Sequence, residues 1–124
     1  NVAILDLTNF VAPLVTRTSR MFAGSTAFDS IDLRNMDLTA AADVFSMFDT
    51  TIVTTINMTA AKALGAAQLN IMFSDCGAKT ITVPNLVQNN VTDITGIFSN
   101  ARWLTNLDIS NWNTSGLVRA DAAF

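Results

Sequence analysis

The amino-acid sequence predicts an α/β solenoid: five strand-turn-short helix repeats of about 25 residues, stacked so that a parallel sheet covers one face. Two ladders in one register carry that prediction. An apolar pair ending in Phe recurs as Met21-Phe22, Met47-Phe48, Met72-Phe73, Ile97-Phe98 and Ala123-Phe124, in steps of 26, 25, 25 and 26 residues. The pairs Leu5/Leu7, Ile31/Leu33, Ile56/Met58, Ile81/Val83 and Leu107/Ile109 step by the same amounts. A third ladder, Asn9, Asn35, Asn85 and Asn111, follows the second and breaks only at Ala60.

The repeats run approximately over 1–26, 27–52, 53–77, 78–103 and 104–124, one array that reads as a segment of a longer one. Each opens with a strand: Ile4-Leu5-Asp6-Leu7-Thr8 and Ser30-Ile31-Asp32-Leu33-Arg34 alternate apolar and polar residues, as a half-buried strand does. Upstream of each Phe the apolar residues fall instead at i, i+3 and i+4: Val44, Met47, Phe48; Leu69, Met72, Phe73; Ile94, Ile97, Phe98. That spacing lines one face of a helix and predicts a short helix in each repeat. Asp37 or Thr39, Thr92 and Ser115 stand where N-caps belong, and Ala23-Gly24-Ser25 and Asp75-Cys76-Gly77 supply turns afterwards. Repeat three, with Ala60 in the Asn column and an Ala-rich helix over 59–68, is expected to be the least regular.

A unit this short cannot bury its own apolar face, but a stack can. Neighbouring strands pair in parallel at about 4.8 Å while the Phe side chains pile up behind them. Roughly five apolar side chains per repeat then enter one core, at about 1.5 to 3 kcal/mol each before the entropic cost. Each Asn after a strand is expected to bond backbone groups of the adjacent turn, so that one coil serves the next. Met21, Met47 and Met72 read as core filler. Trp103 and Trp112 flank the last strand and also read as core, Trp112 because it shares its column with Phe10, Met36 and Leu86. Cys76, the only cysteine, sits in a turn without a partner for an internal disulfide.

Composition excludes several functions. Half the residues are hydrophobic, 14% are charged and the net charge is −3, a balance that fits a folded array and argues against disorder. The few Lys and Arg are scattered, so nothing forms the basic stripe that nucleic acid requires. No apolar run is long enough to span a bilayer, since Lys62 interrupts even the Ala-rich stretch. The first residue is Asn1 and no secretory signal precedes it, which reads as a processed chain or an excerpt. With no His and one Cys, the common zinc sites and the Ser/His and Cys/His nucleophilic arrangements are unavailable to the sequence, and no cofactor is expected.

The stretch Asn90-Val91-Thr92-Asp93-Ile94-Thr95-Gly96-Ile97-Phe98, with the later Leu104-Thr105-Asn106-Leu107-Asp108-Ile109-Ser110-Asn111-Trp112-Asn113-Thr114-Ser115, resembles the bacterial surface-protein 26-residue repeat. This is the BspA-like branch of the leucine-rich repeats. The resemblance extends over the chain as a period and is most specific in repeats four and five. It implies a leucine-rich-repeat-like solenoid from an extracellular, often cell-wall-associated or lipoprotein array used in adhesion. It implies no enzyme activity and no defined binding residues.

The outward residues of the strands form the candidate binding face: Asp6, Thr8, Asp32, Arg34, Asn57, Thr59, Thr82, Asp108 and Ser110. Strand faces of solenoids offer extended surfaces to large partners, although of these side chains only Arg34 belongs to the types that dominate protein interfaces. Asp6, Asp32 and Asp108 share one column, and a row of oxygens is the kind of ligand Ca²⁺ takes. Asn57 and Thr82 separate the last two by about 14 Å, so a solvated polar face is expected there and no metal site.

The expected function is a non-catalytic cell-surface or secreted repeat protein that mediates adhesion, binding a host or matrix protein or a glycan. The alternative is a structural subunit of an extracellular or viral fibre built by end-to-end stacking. Asn1 just before the first strand and Phe124 on the core side of the last repeat leave both ends uncapped, which points to flanking repeats or to self-association.

Overall fold

The computed structural model describes residues 3–124. Strands β1 (Ile4–Asp6), β2 (Ser30–Asp32), β3 (Thr55–Asn57), β4 (Thr80–Thr82) and β5 (Asn106–Asp108) form one parallel sheet in sequence order, so four complete turns of a solenoid join five strands. Leu5, Ile31, Ile56, Ile81 and Leu107 are successive partners, and so are Asp6, Asp32, Asn57, Thr82 and Asp108. The register is that of the sequence ladders.

Each strand lasts only three residues because its final side chain turns the chain. Asp6 accepts a hydrogen bond from the Thr8 amide (2.9 Å), Asp32 from Arg34 (3.2 Å), Asn57 from Thr59 (3.2 Å) and Asp108 from Ser110 (3.0 Å). This Asx turn bends the backbone away just after the ladder. At β4 the equivalent residue is Thr82, and Pro84 has no N–H to give; its fixed φ sets the bend instead.

The predicted helices do not form. Among the described residues there is no helix, and segments 44–48, 69–73 and 94–98 are successive tight turns. The fold is therefore a parallel β-solenoid and not an α/β one. Two residues before each Phe the backbone is left-handed, at Arg20 (φ 59°), Ser46 (55°), Ile71 (48°), Gly96 (64°) and Ala122 (49°). Two residues after the first four Phe it is left-handed again, at Gly24 (70°), Thr50 (55°), Asp75 (53°) and Asn100 (58°). A right-handed helix cannot run through such residues.

The hydrogen bonds a helix would have made are made between coils instead. The amides of Arg20, Phe22 and Gly24 donate to the carbonyls of Phe45, Met47 and Asp49 at 3.0, 2.9 and 2.9 Å. Those of Ile71, Phe73 and Asp75 donate to Thr95, Ile97 and Ser99 at 3.0, 2.9 and 2.9 Å. The amides between them close three-residue turns within the coil, as Met21 does to Thr18 and Ala23 to Arg20. Three-residue turns share the i, i+3 spacing with a helix, which is why the core positions were legible and the backbone was not. The expected caps change role accordingly: Asp37 and Asn113 hold Asx turns with Thr39 and Ser115, and the Thr92 hydroxyl donates to Ala67 of the previous coil.

Behind the sheet, Phe22, Phe48, Phe73, Phe98 and Phe124 form one continuous stack with ring centroids 5.1, 5.1, 5.3 and 5.7 Å apart. Trp112 lies against Phe98 and donates its indole N–H to the Val83 carbonyl at 2.7 Å. Met47 and Met72 are fully buried, but Met21, expected to fill the core as they do, is 42% exposed. Cys76 is buried, and that burial pushes its thiol up to about 11.

Repeat three is as regular as its neighbours, contrary to expectation: β3 pairs on both sides, and Ile56, Met58, Leu69, Met72 and Phe73 are fully buried. The carbonyl after each strand explains how Ala60 is tolerated. Asn35 and Asn85 reach it in the preceding coil with their side-chain amides, on Thr8 (3.1 Å) and Thr59 (3.0 Å). Ala60 reaches Arg34 with its backbone amide (3.1 Å), as Asn111 does Pro84 (3.0 Å). No side chain is needed where the backbone donates.

Candidate functional site

The strand face gathers the residues the sequence nominated. Asp6, Asp32, Asn57, Thr82 and Asp108 stand side by side, followed by Thr8, Arg34, Thr59 and Ser110 just past their strands. Most of their polar atoms are already engaged locally. The Thr8 hydroxyl, then its amide, holds the Asp6 carboxyl below the usual carboxylate range, and the Ser110 side chain and amide do the same for Asp108. The Arg34 guanidinium grips Asp32 and lowers it likewise. The Thr59 hydroxyl donates to Asn57. These groups shape turns first, and what they offer to a partner is a shallow polar surface.

A larger concavity lies at the corner where each coil enters its strand. This open cleft of about 710 Å³ crosses the first four coils and is lined by Phe28, Asp29, Ile52, Asp75, Gly77, Lys79 and Trp103 among others. Its origin is in the sequence spacing. From the stacked Phe to the central residue of the next strand there are eight residues in coils two and three, but nine in coils one and four. Counted back from the strand centre, Phe28, Val53, Ala78 and Leu104 share the inward place, and Ala27, Ile52, Gly77 and Trp103 the outward place just before it, so Trp103 stands outside in the same column as Ile52. Trp103, expected in the core, is 63% exposed, and so is Ile52 two coils away.

Gly77 stands between them. A Cβ there would meet nothing closer than the Thr51 carbonyl at 3.4 Å and Ile52 Cα at 3.5 Å, so the missing side chain is what leaves the notch open. The sequence signal was the column four residues before each strand centre, where Gly77 stands between two large apolar residues, Ile52 and Trp103. Around the notch, Asp75 accepts from the Asn100 side-chain amide and from the Ser74 hydroxyl, and Asp29 accepts from the Ala3 amide at 2.6 Å. Lys79 is exposed and forms no ion pair among the described residues. The corner's backbone is engaged between coils: Ile52 donates to Ser25, Gly77 to Thr51 and Lys79 to Thr54, at 2.8, 2.8 and 2.9 Å.

A further column runs along the opposite edge of the turns. Isolated bridges join Arg17 to Asp43, Gln68 to Asp93 and Asp93 to Arg119. Arg17 lies 3.7 Å from Asp43, and Arg119 lies 3.9 Å from Asp93, whose carboxyl is held low chiefly by Thr95 and also by Asn70 and Arg119. Among the described residues no helix is long and apolar enough to cross a membrane, and no three carboxylate or thiol groups gather as metal ligands.

No curated protein and no solved structure shows significant similarity to the chain. One family does. Its pattern matches residues 4–82 and again residues 67–124, two overlapping runs that together extend from β1 to the last ring of the Phe stack. Such overlapping matches are what a repeated coil produces, and the chain belongs to this repeat family, described as Mycoplasma protein of unknown function, DUF285.

Proposed function

We propose that the protein is a non-catalytic binding module of a cell-surface or secreted repeat array, working in adhesion to a host or matrix protein or a glycan. The observation that carries this reading is the corner cleft. Two large apolar side chains, Ile52 and Trp103, stand in water on a frame of inter-coil hydrogen bonds, where they add nothing to the core. Exposed aromatic and aliphatic groups beside a well-formed concavity are the usual anchors of recognition. The strand face supplies a second, polar contact area of short side chains. The likeness of repeats four and five to BspA-like leucine-rich repeats supports the surface location and the adhesive role.

The fibre reading draws on the regular stack of Phe rings, which runs unbroken from Phe22 to Phe124. Charge speaks against direct stacking of copies in register. Inner neighbours in the bridge column carry opposite signs at Arg17/Asp43 and Asp93/Arg119, whereas a copy laid on the last coil would set Arg17 against Arg119. Light scattering across a concentration series, with electron microscopy of the same samples, tests the choice. A monomer at all concentrations supports the binding module; filaments that lengthen with concentration overturn it in favour of the fibre.

A further inference from the structure

Resting on the reading of the chain as a binding module, we infer that the corner cleft takes a neutral oligosaccharide, with one sugar ring on the Trp103 indole and the next crossing the notch at Gly77 towards Asp75 and Lys79. Three features of the cleft lead there. The first is its shape: an open trough crossing several coils, with the exposed Trp103 indole as a broad aromatic platform in its last coil. A sugar ring has an apolar C–H face that covers an indole and a rim of hydroxyls that both donate and accept. Asp75 retains acceptor capacity beyond its bonds from Asn100 and Ser74, and Lys79 has three donors and no ion pair among the described residues. One acceptor and one donor thus line the same cleft as the indole.

The second feature is the backbone. An extended peptide is commonly held by adding a strand to free main-chain groups. Here the amides of Ile52, Gly77 and Lys79 are all bonded to the preceding coil, so recognition falls to side chains. That suits a ligand covered in hydroxyls better than a peptide. The third is charge. Asp29 and Asp75 outnumber Lys79 in the lining, and the excess negative charge repels acidic glycans and nucleic acid. A neutral sugar is not repelled.

The test is titration of the intact chain with neutral gluco-, manno- and chito-oligosaccharides, read by calorimetry and by tryptophan fluorescence, alongside acidic uronate oligomers and a panel of matrix proteins. Trp103→Ala removes the platform, and Gly77→Leu fills the notch with a side chain whose Cβ has room. The expected result is saturable binding of at least one neutral series, weakened about tenfold or more by either variant, as loss of a central aromatic anchor does. The melting curve of Trp103→Ala should match the wild type, and that variant decides the matter if Gly77→Leu folds poorly. Undiminished binding in Trp103→Ala places any sugar site elsewhere and overturns the inference, as does preference for the uronates. If no sugar binds but a matrix protein does, the sugar assignment falls and the binding-module reading stands. If nothing binds, both fall.

Discussion

Asp6, Asp32 and Asp108 show how a residue type chosen as a ligand candidate can have a more local use. Each carboxylate accepts the amide two residues on, and Asn57 does the same without a charge. Asp108→Asn should therefore keep the turn and the melting temperature, while Asp108→Ala should lower it; thermal unfolding by circular dichroism distinguishes them. Because Asp6, Asp32, Asp37, Asp93 and Asp108 all have carboxyls held below the ordinary value, their stabilisation is present above the unfolded pKa near about 4. It is lost as pH falls through the lower native values. Urea midpoints measured from about pH 6 down to pH 2 should fall steadily, and a flat profile would contradict the assignment.

Cys76 gives the opposite limb. Its native thiol, raised by burial from 9.0 to about 11, stays protonated while the unfolded thiol ionises. The stabilisation is complete below about pH 9 and is lost as pH climbs towards 11, by about 2 to 3 kcal/mol in all. Cys76→Ala, the residue type that coil four has in this column as Ala101, should remove that alkaline step. The native thiol should also resist alkylation until the chain is unfolded.

At the scale of the element, the turn before each Phe is the unit that sequence reasoning misread. Val44, Met47, Phe48 and their counterparts are core residues as the spacing implied, with left-handed positions on both sides of the first four Phe and before Phe124 where a helix was expected. Those positions hold Arg, Ser, Ile, Gly, Ala, Thr, Asp and Asn, and only Gly24 and Gly96 carry the residue that usually marks such a conformation. Eight residue types in one backbone state leave little local signal; the inter-coil ladder imposes it. Gly96 shows the constraint directly, since its φ is 64° and a Cβ would come 2.9 Å from Ile71 Cγ2. Gly96→Ala should cost about 1 to 2 kcal/mol in chemical denaturation. At Gly116 a Cβ would lie 2.0 Å from the Asn89 carbonyl oxygen, so Gly116→Ala must push two coils apart and should cost more.

Over the whole molecule, stability is carried from coil to coil. Each coil is stabilised by the neighbours that cover it, so the cost of the same deletion follows how far each ring of the Phe stack is buried. Phe73→Ala, fully buried between Phe48 and Phe98, should cost about 3 to 5 kcal/mol, whereas Phe124→Ala should cost about 1 kcal/mol or less. Comparable losses at the two positions would contradict this dependence on burial. Amide exchange should likewise be slowest in β3 and fastest in β1 and β5, whose central residues are only half-buried.

The sequence by itself determined the period, the number and register of the strands, the parallel stack and the Phe column, because each is a property of repetition: a core shared between identical units forces like residues into line. It also pointed to the polar strand face. The tertiary structure decided what repetition does not encode. Left-handed turns replace the helices because the amides of one coil bond the carbonyls of the next, and that choice depends on a neighbour lying alongside. Trp103 stays out of the core because Leu104, next in the chain, takes the inward place, and the cleft opens because Gly77 stands beside Trp103 in the outward column. A ladder shows which residues align; only the stacked coils show which of them the alignment leaves outside.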